Sequence, residues 1–210
     1  DVILKKLPAT LELVFGATLI IVGLSVPVGV LTAIKPNSIY SRIIMGISIV
    51  GISIPVFLTA ILMIYIFSVE LRWFPSYGRG DVVHVWGYWS TNFATRDGWA
   101  HIFLPSVALA SIMLPLFVRL IRAEMMETLQ SEYVKYAYAK GIPPRRIWFT
   151  HALKNTVMPV ITVGGGQLGT MVAYTILTET VFQWPGMGFM FLEAVNRTDT
   201  PLIVAYLIVV

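Results

Sequence analysis

The stretch Arg119–Asn155 reads RLIRAEMMETLQSEYVKYAYAKGIPPRRIWFTHALKN and lies between two long apolar runs. It holds seven of the chain's fifteen Lys and Arg residues: Arg119, Arg122, Lys135, Lys140, Arg145, Arg146 and Lys154. Helix-to-helix connections typically need only about two to eight residues. A loop this long, charged and helix-patterned therefore does more than connect. Residue chemistry leaves two readings open: a docking surface gripped by a cytoplasmic partner, or a basic inner loop that pairs with anionic lipid.

Working outward, composition places the chain in a bilayer. Hydrophobic residues make up 57% of it and charged residues 12%, against about a quarter charged in a typical soluble domain. The 210 residues contain no cysteine, so disulfides, thiolate metal sites and cysteine nucleophiles are excluded. The net charge of +4 reflects Lys and Arg held on one membrane face rather than a nucleic-acid partner. The chain begins at Asp1 without an initiator Met, and the run Pro201–Val210 is too short to span, so both ends are expected to continue.

Four complete spans are expected, over residues 11–34, 43–69, 102–121 and 157–177, with one truncated span after them. None of the four carries a charge near its middle. Pro27, Pro55, Pro105 and Pro115 lie in or near these runs, where they kink the packing or serve as hinges of a moving pathway. The side with Lys35, Arg42 and the 119–154 segment carries nine Lys and Arg. The other carries six: Lys5, Lys6, Arg72, Arg79, Arg96 and Arg197. The nine lie close to span ends, which puts the basic loop in the cytoplasm. The six tryptophans, Trp73, Trp86, Trp89, Trp99, Trp148 and Trp184, fall outside the apolar cores, as interfacial anchors do.

Within the basic loop, Met125, Leu129 and Tyr133 recur every four residues, which predicts a helix over Glu124–Lys140. Gly141 supplies a positive φ to end it, and Pro143-Pro144 forbid simple continuation. A second helix from about Arg145 to Asn155 then leads into the next span. Outside, Phe74–Gly80 reads as turns, Val82–Trp89 as a short amphipathic interfacial segment, and Phe182–Gly188 as a re-entrant or interfacial element.

These segments resemble the integral-membrane subunits of binding-protein-dependent ABC importers. In the general family motif, Glu-Ala-Ala, three residues, Gly, nine residues, Ile-x-Leu-Pro, only Ala137, Gly141 and Leu153 match, and Lys135 replaces the Glu. The dipeptide/oligopeptide/nickel branch is closer. Its version is similar to Glu132-Tyr133-Val134, Ala137-x-Ala139-Lys140-Gly141 and His151-Ala152-Leu153-Lys154-Asn155 with Pro159 beyond. Glu179-Thr180-Val181-Phe182-x-Trp184-Pro185-Gly186-Met187-Gly188 and Leu7-Pro8-Ala9-Thr10-Leu11-Glu12-Leu13 extend the likeness nearly end to end.

The resemblance implies an all-α polytopic membrane helix bundle of the type I importer kind, forming one transmembrane permease domain over residues 1–210. It implies an additional span ahead of the first, a multi-pass location in a bacterial or archaeal inner membrane, and contact with membrane lipid. It implies an ATPase-coupling loop over residues 122–155. Its coupling residues would be Lys135, Tyr136, Ala137, Ala139, Lys140, Gly141, Arg145 and Arg146. The implied partners are cytoplasmic ABC ATPase subunits that hold ATP and Mg, a second permease subunit and an external solute-binding protein. No cofactor or metal is expected in this chain, and no catalysis.

Gly164-Gly165-Gly166-Gln167-Leu168-Gly169-Thr170 lacks the Lys of a phosphate loop and lies at mid-span. Gly165 and Gly169, four apart, suit close helix packing or the wall of a pathway; Gln167 faces the path or serves as packing glue. Glu12 is expected to cap or sit at the interface, and Glu179 to cap a helix or contact the binding protein. Phe182, Trp184, Pro185, Gly186 and Gly188 are the other external-loop candidates. His84, His101 and His151 are isolated, which disfavours a metal site. Arg119 and Arg122 mark the inner boundary, where snorkelling accounts for them. The rival function, an ion-coupled secondary transporter, would need an ionisable residue buried in a span.

Overall fold

The structure is a computed structural model that describes residues 2–86 and 89–209. Three helices among these residues are long and apolar enough to cross a membrane: Val2–Ile34, Arg96–Gln130 and Pro144–Val181. The expected span over residues 43–69 is broken. It comprises α2 (Ile39–Ser53) and α3 (Val56–Met63), the latter continuing as a π-helical stretch over Ile64–Glu70, and counts as a fourth crossing only if the pair is taken together. Pro55 is the cause. It has no N–H for the preceding turn, it disfavours helical geometry at Ile54, and its own ψ of 141° is extended. By contrast α1 (Val2–Ile34) runs unbroken through Pro27, and α4 (Arg96–Gln130) through Pro105 and Pro115.

Other boundaries also differ from expectation. The helix expected over Glu124–Lys140 is the end of α4 followed by a separate α5 (Glu132–Ala139). Ser131 separates them with ψ 152°, its hydroxyl turned back to the Thr128 carbonyl at 2.5 Å. The next helix starts at Pro144, not Arg145: α6 (Pro144–Arg146), a π-helical stretch over Ile147–Ala152, and α7 (Leu153–Val181) run on from one another. The segment read as amphipathic over Val82–Trp89 contributes instead to a two-stranded antiparallel sheet of β1 (Val83–Trp86) and β2 (Trp89–Thr91), a small hairpin in a helical fold; residues 87 and 88 lie outside the described residues. Two short helices, α8 (Met187–Asn196) and α9 (Thr200–Val209), follow α7.

The chain divides into two compact units. The first takes Asp1–Ile20, Ile54–Ser111 and Leu168–Val210. Its core joins Ala60, Leu104, Ala108 and Phe182, with Phe67, Phe74 and Val181 against them. At Gly16 an added Cβ would lie 2.5 Å from the Ser106 hydroxyl, so α1 and α4 approach as closely as small residues allow. Phe191 on α8 stacks on Tyr206 of α9 at 4.5 Å.

The second unit takes Ile21–Ser53 and Ile112–Gln167. Its core is Val30, Ala33, Ile121, Met125 and Ala152. A Cβ at Gly29 would meet Ile121 at 2.7 Å, another close helix crossing. In α2 the pattern of a soluble helix is inverted. Ser41 and Ser48 are its buried residues, while Ile39, Ile43, Ile47 and Ile49 stand 57–77% exposed. An outward apolar face with small hydroxyls inward suits lipid surroundings, where hydrocarbon is no worse a neighbour than protein.

Candidate functional site

The loop between α4 and α7 is built from local rules. After Ser131, α5 buries Val134 and Ala137 against Ile147, with Leu129 and Ile142 closing the cluster. Gly141 has φ +74°. The Ile142 N–H donates to the Ala137 carbonyl at 3.2 Å and the Gly141 N–H to the Tyr138 carbonyl at 2.9 Å. That pair of bonds, with Ile142 packed under the helix, is a Schellman cap. Pro144 occupies the start of the next helix, where a missing N–H costs nothing. Two side-chain bonds brace α5 on the following helix: Trp148 Nε1 to the Tyr138 hydroxyl at 3.2 Å, and Asn155 Nδ2 to the Tyr133 hydroxyl at 2.9 Å. The element is capped and cross-braced, and its turn is defined.

Of the residues the sequence singled out here, Ala137 is buried and is a packing residue, whereas Lys135, Tyr136, Ala139, Lys140, Gly141, Arg145 and Arg146 are exposed. Two of the cations have partners within the loop. Lys135 pairs with Glu132 at 2.8 Å, and Lys140 lies over the Tyr136 ring at 4.6 Å. Arg145 and Arg146 form no ion pair among the described residues, so their charge is available to a neighbour.

The glycine run on α7 is open. A Cβ on Gly164 would touch Phe117 at 3.6 Å, but at Gly165, Gly166 and Gly169 nothing lies within 4 Å, and Gln167 is half-buried. Close packing through Gly165 and Gly169 is therefore not made among the described residues. The most apolar stretch of the Pro144–Val181 helix is only 11% buried, against 61% for α4, which leaves that face for lipid, a partner or a path.

The segment after α7 is a buried staple. Glu179 takes the Thr10 hydroxyl at 2.6 Å on one oxygen and the Phe189 N–H at 2.9 Å on the other. Thr10 in turn accepts the Met187 N–H at 2.8 Å. Both oxygens are thus occupied, and one of them caps an N–H at the start of α8. A Cβ on Gly186 would overlap the Glu179 carboxylate, and one on Gly188 would meet the Ile176 Cα at 2.7 Å, which explains both glycines. Trp184 is fully buried, with Nε1 donating to the Ala9 carbonyl at 2.9 Å, and Phe182 is in the core. Trp184 is thus a structural staple, not the interfacial anchor expected of it.

Glu12 does not cap α1. It lies within α1, 4% exposed, paired with Arg79 at 2.6 Å. Arg79 also donates to Ser90, at 3.0 Å to its hydroxyl and 2.6 Å to its carbonyl, and so ties the segment after α3 to β2 and α1. Arg79 and Thr10 are the residues that sequence reasoning missed. The signal for Arg79 was its placement between Gly78 and Gly80, both at positive φ.

The chain is 37% identical to the di/tripeptide transport system permease protein DppB of Pseudomonas aeruginosa, over 95% of this chain and 63% of that protein. It is 37% identical to the dipeptide transport system permease protein DppB of Escherichia coli K12, over 94% and 62%. It is 33% identical to the oligopeptide transport system permease protein AppB of Bacillus subtilis, over 100% and 64%. The chain thus spans somewhat less than two thirds of these relatives' length. A solved chain of the MetNI methionine ABC transporter in inward-facing conformations matches the fold with a TM-score of 0.72 at 19% identity, covering 99% of this chain and 89% of that one. Residues 25–210 match the family described as binding-protein-dependent transport system inner membrane component, and the chain belongs to that family.

Proposed function

We propose that this chain is part of a membrane-spanning permease subunit of an ATP-driven importer for peptides or related small solutes. It forms a share of the translocation path in a bacterial or archaeal inner membrane, crossing it several times. Cytoplasmic ATPase subunits bind ATP and Mg and dock on the α5–Gly141–Pro143-Pro144 element. An external binding protein delivers the solute, and a second permease subunit completes the path, with the open Gly165, Gln167 and Gly169 face of α7 as the surface offered to path or partner.

The observation that carries this reading is the capped, cross-braced α5, with exposed Arg145 and Arg146 directly after it. A push from a closing ATPase travels only through an element that does not bend. α5 rests on Ile147, inside the same continuous stretch that becomes α7, so a rigid-body displacement at the loop reaches the spanning helix.

The ion-coupled alternative gains nothing from the buried carboxylates. Glu12 is held by Arg79, and Glu179 by Thr10 and the start of α8. The test is uptake of labelled di- and oligopeptides by cells with and without this subunit. Dependence on the subunit and on ATP, insensitive to collapse of the ion gradients, is the expected result; unchanged uptake after deletion removes the peptide assignment.

A further inference from the structure

A groove of about 1000 Å³ in the second unit is lined by Leu31, Ile34, Lys35, Tyr40, Pro143, Pro144, Arg145, Trp148 and Phe149. Its walls are the end of α1, the start of α2 and the start of the helix that follows the Gly141 turn. Lys35 and Arg145 are its charged lining residues; both are exposed, and neither forms an ion pair among the described residues. No carboxylate lines it. The remainder is aliphatic and aromatic, with Leu31 51% and Phe149 55% exposed. The Tyr40 hydroxyl is already committed to the Leu31 carbonyl at 2.7 Å and Trp148 Nε1 to Tyr138 at 3.2 Å, so both rings are fixed in place as walls.

Depth decides the occupant. The first spanning helix ends at Ile34 and the next helix begins at Ile39, so Lys35 and Tyr40 stand where a bilayer passes from hydrocarbon to headgroups. We propose that this groove is a binding site for an anionic phospholipid. Lys35 and Arg145 clasp the headgroup phosphate, and Leu31, Ile34 and Phe149 lie along the upper acyl chain. Basic pockets on the cytoplasmic side of membrane helices favour such headgroups, and an apolar floor continuous with a spanning helix suits a lipid better than the polar surface of a docked protein.

The proposal rests on the permease reading for its orientation, and it divides the two adjacent arginines. Arg145 faces the groove; Arg146 does not line it and remains for a protein partner. Occupancy would tie the start of the helix after Gly141 to the bilayer surface and make coupling sensitive to lipid charge.

The test uses the full-length protein in nanodiscs and reads quenching of Trp148 fluorescence, taken as the difference between wild type and Trp148→Phe. The probes are brominated phosphatidylglycerol and brominated phosphatidylcholine. The expected result is stronger quenching by the anionic lipid, with the preference falling about fivefold for each of Lys35→Gln and Arg145→Gln and persisting in Arg146→Gln. Native mass spectrometry of retained phosphatidylglycerol gives the same comparison without the tryptophan substitution. Equal quenching by both lipids, or a preference unaffected by Lys35→Gln and Arg145→Gln, overturns the proposal. So does protection of Trp148 from both lipids once ATPase subunits are added, which would make the groove a protein contact. No lipid preference in wild type, with peptide uptake still dependent on the subunit, counts against this inference alone; peptide uptake independent of the subunit, with the wild-type preference present, counts against the permease reading alone.

Discussion

The Thr10 hydroxyl donates to Glu179 at 2.6 Å across 169 positions of sequence, and the same oxygen accepts the Met187 N–H at 2.8 Å. One side chain on α1 thereby holds the end of α7 and the start of α8 together. Thr10→Val keeps the shape and removes both roles, leaving a buried carboxylate oxygen and an N–H without partners. A loss of about 1–3 kcal/mol is expected, read as a fall in detergent-solubilised Tm, with Thr10→Ser close to wild type.

Arg79 and Glu12 form a buried pair, and removing one member strands the other. Arg79→Met is expected to cost about 3–5 kcal/mol. The double substitution Glu12→Gln with Arg79→Met should recover most of it, because two neutral groups carry no unpaired charge. Thermal unfolding of the four proteins in a double-mutant cycle checks this; additive losses would contradict a direct pairing.

The glycines separate into those with room and those without. Gly186→Ala and Gly188→Ala force a methyl group into the Glu179 carboxylate and the Ile176 backbone, so both should lower Tm or expression sharply. A Cβ at Gly165 or Gly169 has nothing within 4 Å among the described residues, so Gly165→Ala and Gly169→Ala should leave the isolated subunit as stable as wild type. If that face meets a second permease subunit or the path, the same two changes reduce subunit pairing or uptake. Size-exclusion chromatography and transport assays read these effects.

At Gly141 there is space for a side chain but no favourable backbone for one: φ is +74° and nothing lies within 4 Å of a Cβ. Gly141→Ala should cost about 1–2 kcal/mol through left-handed strain, and Gly141→Asn less. Hydrogen exchange at Ile142, whose N–H closes the cap, is the local reporter, and faster exchange in the alanine variant is expected.

What was legible in the chain was what local chemistry decides. Gly141, Ile142 and Pro143-Pro144 dictate a capped turn from neighbours alone, and the long apolar runs place α1, α4 and α7. The break at Ser131 was hidden because its flanks, Glu124–Gln130 and Glu132–Lys140, are good helix formers with the right spacing. Pro55 looked like the other membrane prolines, yet Pro27, Pro105 and Pro115 stay inside continuous helices and Pro55 does not. The roles of Glu12, Glu179 and Trp184 depend on partners distant in sequence, Arg79, Thr10 and Ala9. No periodicity reports such pairings, so Trp184 looked like an interfacial residue when it is a buried one.

Co-purification of the full-length protein with cytoplasmic ATPase subunits tests the central claim most directly, comparing wild type with Gly141→Pro and with Arg146→Glu. Proline cannot adopt the φ of Gly141, and the charge reversal changes a cation that forms no ion pair among the described residues and does not line the groove. The expected result is an ATPase that comes down with wild type and is lost in both variants while their Tm stays measurable. An ATPase retained equally by all three proteins, or bound by none of them when folded, would contradict the coupling role of this loop.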